Sequence, residues 1–219
     1  MKKLLLLLLA VMLCLTACQS QQPGTEPVAT PEPTPELAQE DIINYMALTY
    51  ADADKIRETY PLEKEIVLPD RTFILDTTVS NAAEKMVYDY FYAVGTGNFD
   101  EIINHTVTTN LKQAMKSHQA AYEDGIFYEQ VILRDLEIVP IESFIDLPYE
   151  FCEEVATIGG SYKLTEYAVV GARAEIKHNE KSLAMGPQVG DGEVVRYFLV
   201  GKTDGDYYLF EIYWDDFLV

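Results

Sequence analysis

Three histidines, His105, His118 and His178, are the side chains of this sequence whose ordinary pKa would let them exchange a proton near neutral pH. His118 falls on the apolar stripe of a helix expected from Thr109 or Asn110 through Tyr122, and Tyr90 falls on the stripe of an earlier helix. A base and a hydroxyl turned toward one interior would suit proton abstraction from a carbon acid, which needs base and oxyanion donor about 3 Å from the same substrate. Nothing in the sequence brings the two together, and a core or interface histidine beside a tyrosine with its hydroxyl at the surface fits the same pattern. His178 ends a strand beside Asn179 and is read as solvated. Among the acids, Asp52-Ala53-Asp54 opens like a calcium loop, but Arg57 stands where that loop needs glycine, so the pair reads as the wet face of a helix. Asp204-Gly205-Asp206 reads as a turn and Asp215-Asp216 as a strand meeting water. Glycine-rich phosphate loops, a Gly-x-Ser-x-Gly elbow and a His-Glu-x-x-His helix are absent. The sequence therefore designates no catalytic residue, cofactor or metal ligand.

The cysteines carry a different chemistry. Lys2-Lys3 is followed by an apolar run from Leu4 to Leu15, too short for the roughly 20 residues that span a bilayer. Leu15-Thr16-Ala17-Cys18 closes the run with small residues before a thiol. This phrase resembles the lipobox of bacterial lipoproteins. The resemblance implies a diacylglycerol on Cys18, removal of residues 1–17, and a protein held by lipid in the cell envelope, on the outer side of the cytoplasmic membrane. Cys14 would leave with the signal, so the folded part would keep one thiol, Cys152, and no internal disulfide. Without a histidine or asparagine signature around it, Cys152 reads as a small buried hydrophobe rather than a nucleophile.

Residues 18–40 read as the acylated cysteine and a tether. Five of the ten prolines, Pro23, Pro27, Pro31, Pro33 and Pro35, lie there among Gln, Thr, Glu and Ser. Such a stretch forms no core and extends as a semi-rigid spacer at about 3.1 Å per residue. The whole chain of 219 residues has 36 Asp and Glu against 16 Lys and Arg, a formal charge of −20, and loss of Lys2 and Lys3 would take it to −22. Nucleic acid is excluded as a partner, because such binding rests on cations that neutralise phosphates. With 48% hydrophobic residues the remainder can bury a core. An acidic head on a spacer would be repelled from an anionic envelope and held in solution beside it.

These candidate residues need elements to position them. Ile42, Tyr45, Met46, Thr49, Ala53, Ile56 and Tyr60 recur at helical steps, which predicts a helix from Asp41 to Pro61. Two short extended pieces around Pro69-Asp70 complete a lead-in over 41–80. Asn81 and Glu84 can cap a helix whose stripe is Ala83, Met86, Val87, Tyr90, Phe91 and Val94, ended by Gly95 and Gly97. A short helix over Asn98–His105 and a third ending at Gly125 follow. The period then switches to two, predicting strands over Phe127–Phe144, Leu164–Lys177, Val194–Lys202 and Tyr207–Trp214. The second of these sets Ala168, Val170, Ala172, Ala174 and Ile176 against Tyr167, Arg173, Glu175 and Lys177. Residues 146–163, with Gly159-Gly160, show no clear period and read as an irregular excursion or a short helix.

Helices first and long antiparallel strands afterwards make an α+β fold, N-terminal helices packed on a curved, mainly antiparallel sheet of about four long strands. The capped helix ending in Val94-Gly95-Thr96-Gly97-Asn98-Phe99-Asp100-Glu101, two more helices and then four strands resembles the nuclear transport factor 2-like superfamily, also called cystatin-like or ketosteroid isomerase-like, over residues 81–219. The resemblance implies a cone, often with a pocket at its open end, and fixes no reaction, because that scaffold hosts isomerases, dehydratases, transport factors and binding modules.

Aromatic residues crowd the last hairpin. Strict alternation would place Tyr208, Phe210, Ile212 and Trp214 on one face and Tyr207, Leu209, Glu211 and Tyr213 on the other, too apolar for open water. Either the chain covers the second face, with 41–79 the expected cover, or a homodimer, a partner protein or a wall ligand does. The reading favoured by sequence is a lipid-anchored, non-enzymatic binding or interaction module, with Tyr90, His118, Tyr208, Phe210 and Trp214 as pocket or interface residues. The alternatives are an isomerase or dehydratase acting on a small ligand in the cone, and an extracytoplasmic sensor of a membrane partner.

Overall fold

The structure, a computed structural model, describes residues 50–143, 149–187 and 189–214, without the side chains of Tyr149, Glu150 and Cys152. Residues 1–49, on which the expected signal sequence, Cys18 and the expected proline tether fall, and Asp215-Asp216 lie outside the described residues.

A hairpin comes first. Strands β1 (Glu65–Leu68) and β2 (Arg71–Leu75) flank Pro69-Asp70, with Leu68 opposite Arg71. Three helices follow: α1 (Ala82–Thr96), α2 (Asp100–Asn104) and α3 (Thr109–Glu123). The Asn81 side chain accepts from the Glu84 amide at 2.9 Å, and the Glu84 carboxylate reaches back to the Ser80 amide at 2.6 Å. This is the reciprocal arrangement of a capping box, displaced by one residue on its return arm. Gly97, at φ 82°, ends α1 in the left-handed region that favours glycine. Within the last turn, Gly95 allows close approach to the sheet, since a Cβ there would sit 2.8 Å from Phe73.

Strand β3 (Tyr128–Ile138) returns beside β2 in parallel, with Phe73 opposite Val131, and β4 (Glu166–His178), β5 (Gly192–Thr203) and β6 (Asp206–Tyr213) add antiparallel. The result is an α+β fold on an open six-stranded mixed sheet in the order β1 to β6. The sheet expected to hold about four strands holds six, because the short strands of the β1–β2 hairpin join it through the β2–β3 pairing. Asp204 at φ 52° and Gly205 at φ 99° make the two-residue turn between β5 and β6, both central residues in the left-handed region as a type I′ hairpin requires.

One face of the sheet buries Phe73, Leu133, Val170, Phe198 and Val200 beneath the stripe of α1 and beneath Phe99, Ile102 and Met115. The opposite face is covered over part of its area by α4 (Tyr149–Tyr162), whose Phe151, Val155, Ala156 and Ile158 meet Tyr167, Val169, Leu199 and Phe210. A 14-residue helix therefore stands where the sequence shows no period, while Ile56, Tyr60 and Leu62 of the lead-in pack against the cluster on the other face, which holds Tyr207 and Leu209. A short helix, α5 (Glu180–Ala184), follows β4, capped by Asn179.

Two expectations are overturned. Residues 50–60 are not helical: Tyr50 forms a parallel bridge with Tyr167, and Asp52 accepts the amides of Asp54 and Lys55 in a tight turn. The Asp52 side chain competes with the helical ladder for those amides. The Tyr50 hydroxyl donates to the Val139 carbonyl and accepts from the Val169 amide, which ties the segment to the sheet and removes it from any helix. The second correction concerns β6. Leu199 lies opposite Glu211 and Val200 opposite Leu209, so Phe210 is the extra residue of a bulge. The alternation inverts there. Tyr207, Leu209 and Ile212 belong to the α1 side of the sheet, while Tyr208, Phe210 and Tyr213 belong to the α4 side.

Candidate functional site

The inverted alternation brings Trp214 to the rim of a cavity of about 370 Å³ between α1, α3 and the inner face of the sheet. That volume falls in the range of small-molecule sites, about 300–1,000 Å³. Phe91 and Val94 of α1, Leu111 and Met115 of α3, and Ile176 and Val194 of the sheet give it an apolar wall.

Five polar side chains interrupt that wall. Tyr90 comes from α1 because it lies between Phe91 and the stripe residues Met86 and Val87, at the edge of the buried face. His118 comes from α3, one turn beyond Met115. Tyr128 opens β3, His178 closes β4, and Arg196 stands on β5 between the inward Val194 and Phe198. Among the described residues Tyr90, His118 and Tyr128 have no hydrogen-bond partner for their polar side-chain atoms.

His178 is the group most firmly fixed. It is 4% exposed, and its Nδ1 lies 2.9 Å from the Asp191 carboxylate, which also accepts the His178 amide at 2.8 Å. A carboxylate on Nδ1 selects the tautomer that carries its proton there and leaves Nε2 as the basic nitrogen. The two hydrogen bonds from His178 hold the Asp191 carboxyl below its usual pKa. The ring lies tilted against Tyr128, with centroids 4.6 Å apart and 54° between the ring planes. The solvated position expected for His178 is thus incorrect. Alternation from Ala168 through Ile176 carries it to the buried face, and Asp191 satisfies its polar edge.

Arg196 lays its guanidinium 3.9 Å from the centre of the Trp214 ring and donates from Nη1 to the Val195 carbonyl at 2.6 Å. Arg71, Arg134 and Arg173 each meet a carboxylate, whereas Arg196 meets none among the described residues. Burial raises the pKa of the Tyr90 and Tyr128 hydroxyls, and the Arg196 charge acts on both in the opposite sense. Both tyrosines therefore remain protonated hydrogen-bond donors at neutral pH. His118 stands at the mouth, exposed on one side and crowded by protein on the other, and that crowding lowers its pKa.

No protein-family model, curated protein or solved structure matches this chain. Of the residues singled out in the sequence, Tyr90, His118 and Trp214 meet at this cavity. Tyr208 and Phe210 do not; Tyr208 stacks on His105 with centroids 5.7 Å apart, and Phe210 is fully buried under α4. Tyr128 and Arg196 were not singled out in the sequence and His178 was read there as solvated, although the inward rows of β4 and β5 run through His178 and Arg196. Cys152 falls in α4, with its side chain outside the described residues. Among the described residues no three His, Cys, Asp or Glu converge as a metal centre would require, and no helix is long and apolar enough to cross a membrane.

Proposed function

We propose that this chain is a lipid-anchored, extracytoplasmic module of a bacterial envelope that holds a small organic molecule between α1, α3 and the sheet, on a nuclear transport factor 2-like cone. The observation that carries the reading is a cavity of ligand size in which an apolar wall surrounds polar groups without protein partners. Helices gathered over one face of a sequentially ordered sheet support the cone. A small occupant is favoured over a protein docked on the aromatic outer face, because α4 covers Tyr167, Leu199 and Phe210 there.

Filling the cavity tests this. Ala114 lines the mouth on an exposed turn of α3, so Ala114→Trp would place an indole in the space with little strain on the core. In native mass spectrometry of the protein extracted from its own envelope, the wild type is expected to carry the added mass of a small molecule and Ala114→Trp to carry none, with unchanged circular dichroism. A wild-type protein that carries nothing, and whose emission from Trp214 does not respond to envelope extract, overturns the reading.

A second reading, proton transfer on a bound carbon acid, is favoured by one arrangement: a histidine oriented through Nδ1 by Asp191 beside tyrosine hydroxyls that stay protonated. It differs from simple binding in one observable. His178→Gln would abolish solvent-deuterium exchange into the ligand while leaving the ligand bound.

A further inference from the structure

The charge of the chain and the charge of the cavity have opposite signs. With 36 acidic residues in 219, an average surface patch is anionic, yet none of the described residues lining this cavity is Asp or Glu. They include Arg196, which no described carboxylate neutralises. Asp191 is not among the lining residues; its carboxylate is bound by the backbone amide and Nδ1 of His178.

The available hydrogen bonds are of one kind. Arg196 uses Nη1 on the Val195 carbonyl and keeps its other N–H groups, while Trp214 covers one face of the guanidinium. Tyr90 and Tyr128 line the same cavity as Arg196, and each can donate an O–H. A planar cation beside two hydroxyl donors matches the oxygens of a carboxylate, which accepts and cannot donate. A cationic ligand would meet Arg196 with like charge. A neutral alcohol would satisfy fewer of these donors and no charge.

The remaining wall, Phe91, Val94, Leu111, Met115, Ile176 and Ile212, gives a ligand's polar groups nothing to bond, so the rest of the molecule must be apolar. Resting on the small-molecule reading above, we infer that the occupant is a small organic carboxylate with an apolar body, its carboxylate at Arg196, Tyr90 and Tyr128 and its body against α1 and α3.

The test uses the mature acylated protein in phosphatidylcholine vesicles and three probes that do not absorb with tryptophan: cyclohexanecarboxylate, cyclohexylmethanol and cyclohexylmethylamine. Trp214, the chain's single tryptophan, reports binding at the cavity rim. Charge-assisted hydrogen bonds predict that the carboxylate binds about tenfold or more tightly than the alcohol or the amine. Arg196→Gln is expected to erase that preference, read by ligand-observed NMR because Arg196 lies against the Trp214 ring, and Tyr128→Phe, which keeps the ring, to reduce it. Arg173→Gln, on the outer face and paired with Asp135, is expected to leave it intact. Equal binding of the carboxylate and the alcohol by the wild type, or a preference that survives both cavity variants, overturns the inference and leaves the small-molecule reading standing. Failure of all three probes to alter Trp214 emission or to register in ligand-observed NMR counts against both.

Discussion

A Cys18→Ala chain is expected to leave the membrane fraction and to incorporate no fatty acid. The wild type should stay in the pellet through high-salt washing and come off only in detergent. The physical ground is the size of the anchor. Each buried methylene contributes about 0.8 kcal/mol, and one myristoyl chain alone gives only reversible binding, whereas two chains on one cysteine anchor a protein stably. Nothing else in the sequence could substitute. The run Leu4–Leu15 is too short to span, and with Lys2 and Lys3 removed the mature chain would be −22, so electrostatics would drive it away from anionic lipid. Salt separates the two mechanisms, since it weakens electrostatic adhesion and leaves acyl insertion intact. Unchanged fractionation of Cys18→Ala, or a wild type that takes up no labelled fatty acid, would sink the envelope address while leaving the cavity chemistry to stand alone.

The parts of the fold legible in sequence were those fixed by local rules. Helix α1 announced itself through Asn81, Glu84 and a glycine exit, and the last hairpin through Asp204-Gly205, because caps and turns are decided by a few neighbouring residues. The parts that escaped depend on distant partners. Gly159-Gly160 weakens any local case for a helix at 149–162, and α4 exists because Phe151 and Val155 find the outer face of the sheet. The bulge at Phe210 cannot be read from alternation, since it is defined by the register against β5. It moved Trp214 from the row of Phe210 to the rim of the cavity. His178 and Arg196 are a different matter. Each continues an inward apolar row, His178 after Ile176 and Arg196 between Val194 and Phe198, and their polarity argued for solvent when their position argued for burial. A charged or titratable residue that interrupts a buried row is a signal of function, because burying it without purpose carries a desolvation cost.

That shared row also makes one core substitution the most damaging to the site. Phe198→Ala is expected to lose about 3–5 kcal/mol of stability, the usual cost of removing a buried aromatic ring, against a total of about 5–15 kcal/mol for a domain. Phe198 is fully buried, lies opposite Val170 on β4 and Ile212 on β6, and packs on Tyr90 and Phe91 with ring centroids 5.1 and 5.7 Å away. Tyr90, Phe91 and Ile212 are also cavity wall, so the void left by the ring opens behind that wall instead of being sealed in the core. Urea denaturation followed by circular dichroism measures the loss. Phe198→Leu, which restores most of the volume, should recover much of the stability without the aromatic contacts to Tyr90, and Val67→Ala, 69% exposed on β1, should stay within about 0.5 kcal/mol of the wild type. A loss below about 1 kcal/mol for Phe198→Ala would mean that Tyr90 and Phe91 do not rest on this ring. If the larger loss is found, carboxylate binding in Phe198→Leu should weaken even where the protein remains folded, because Tyr90 would no longer be held in the cavity wall by a surface of fixed shape.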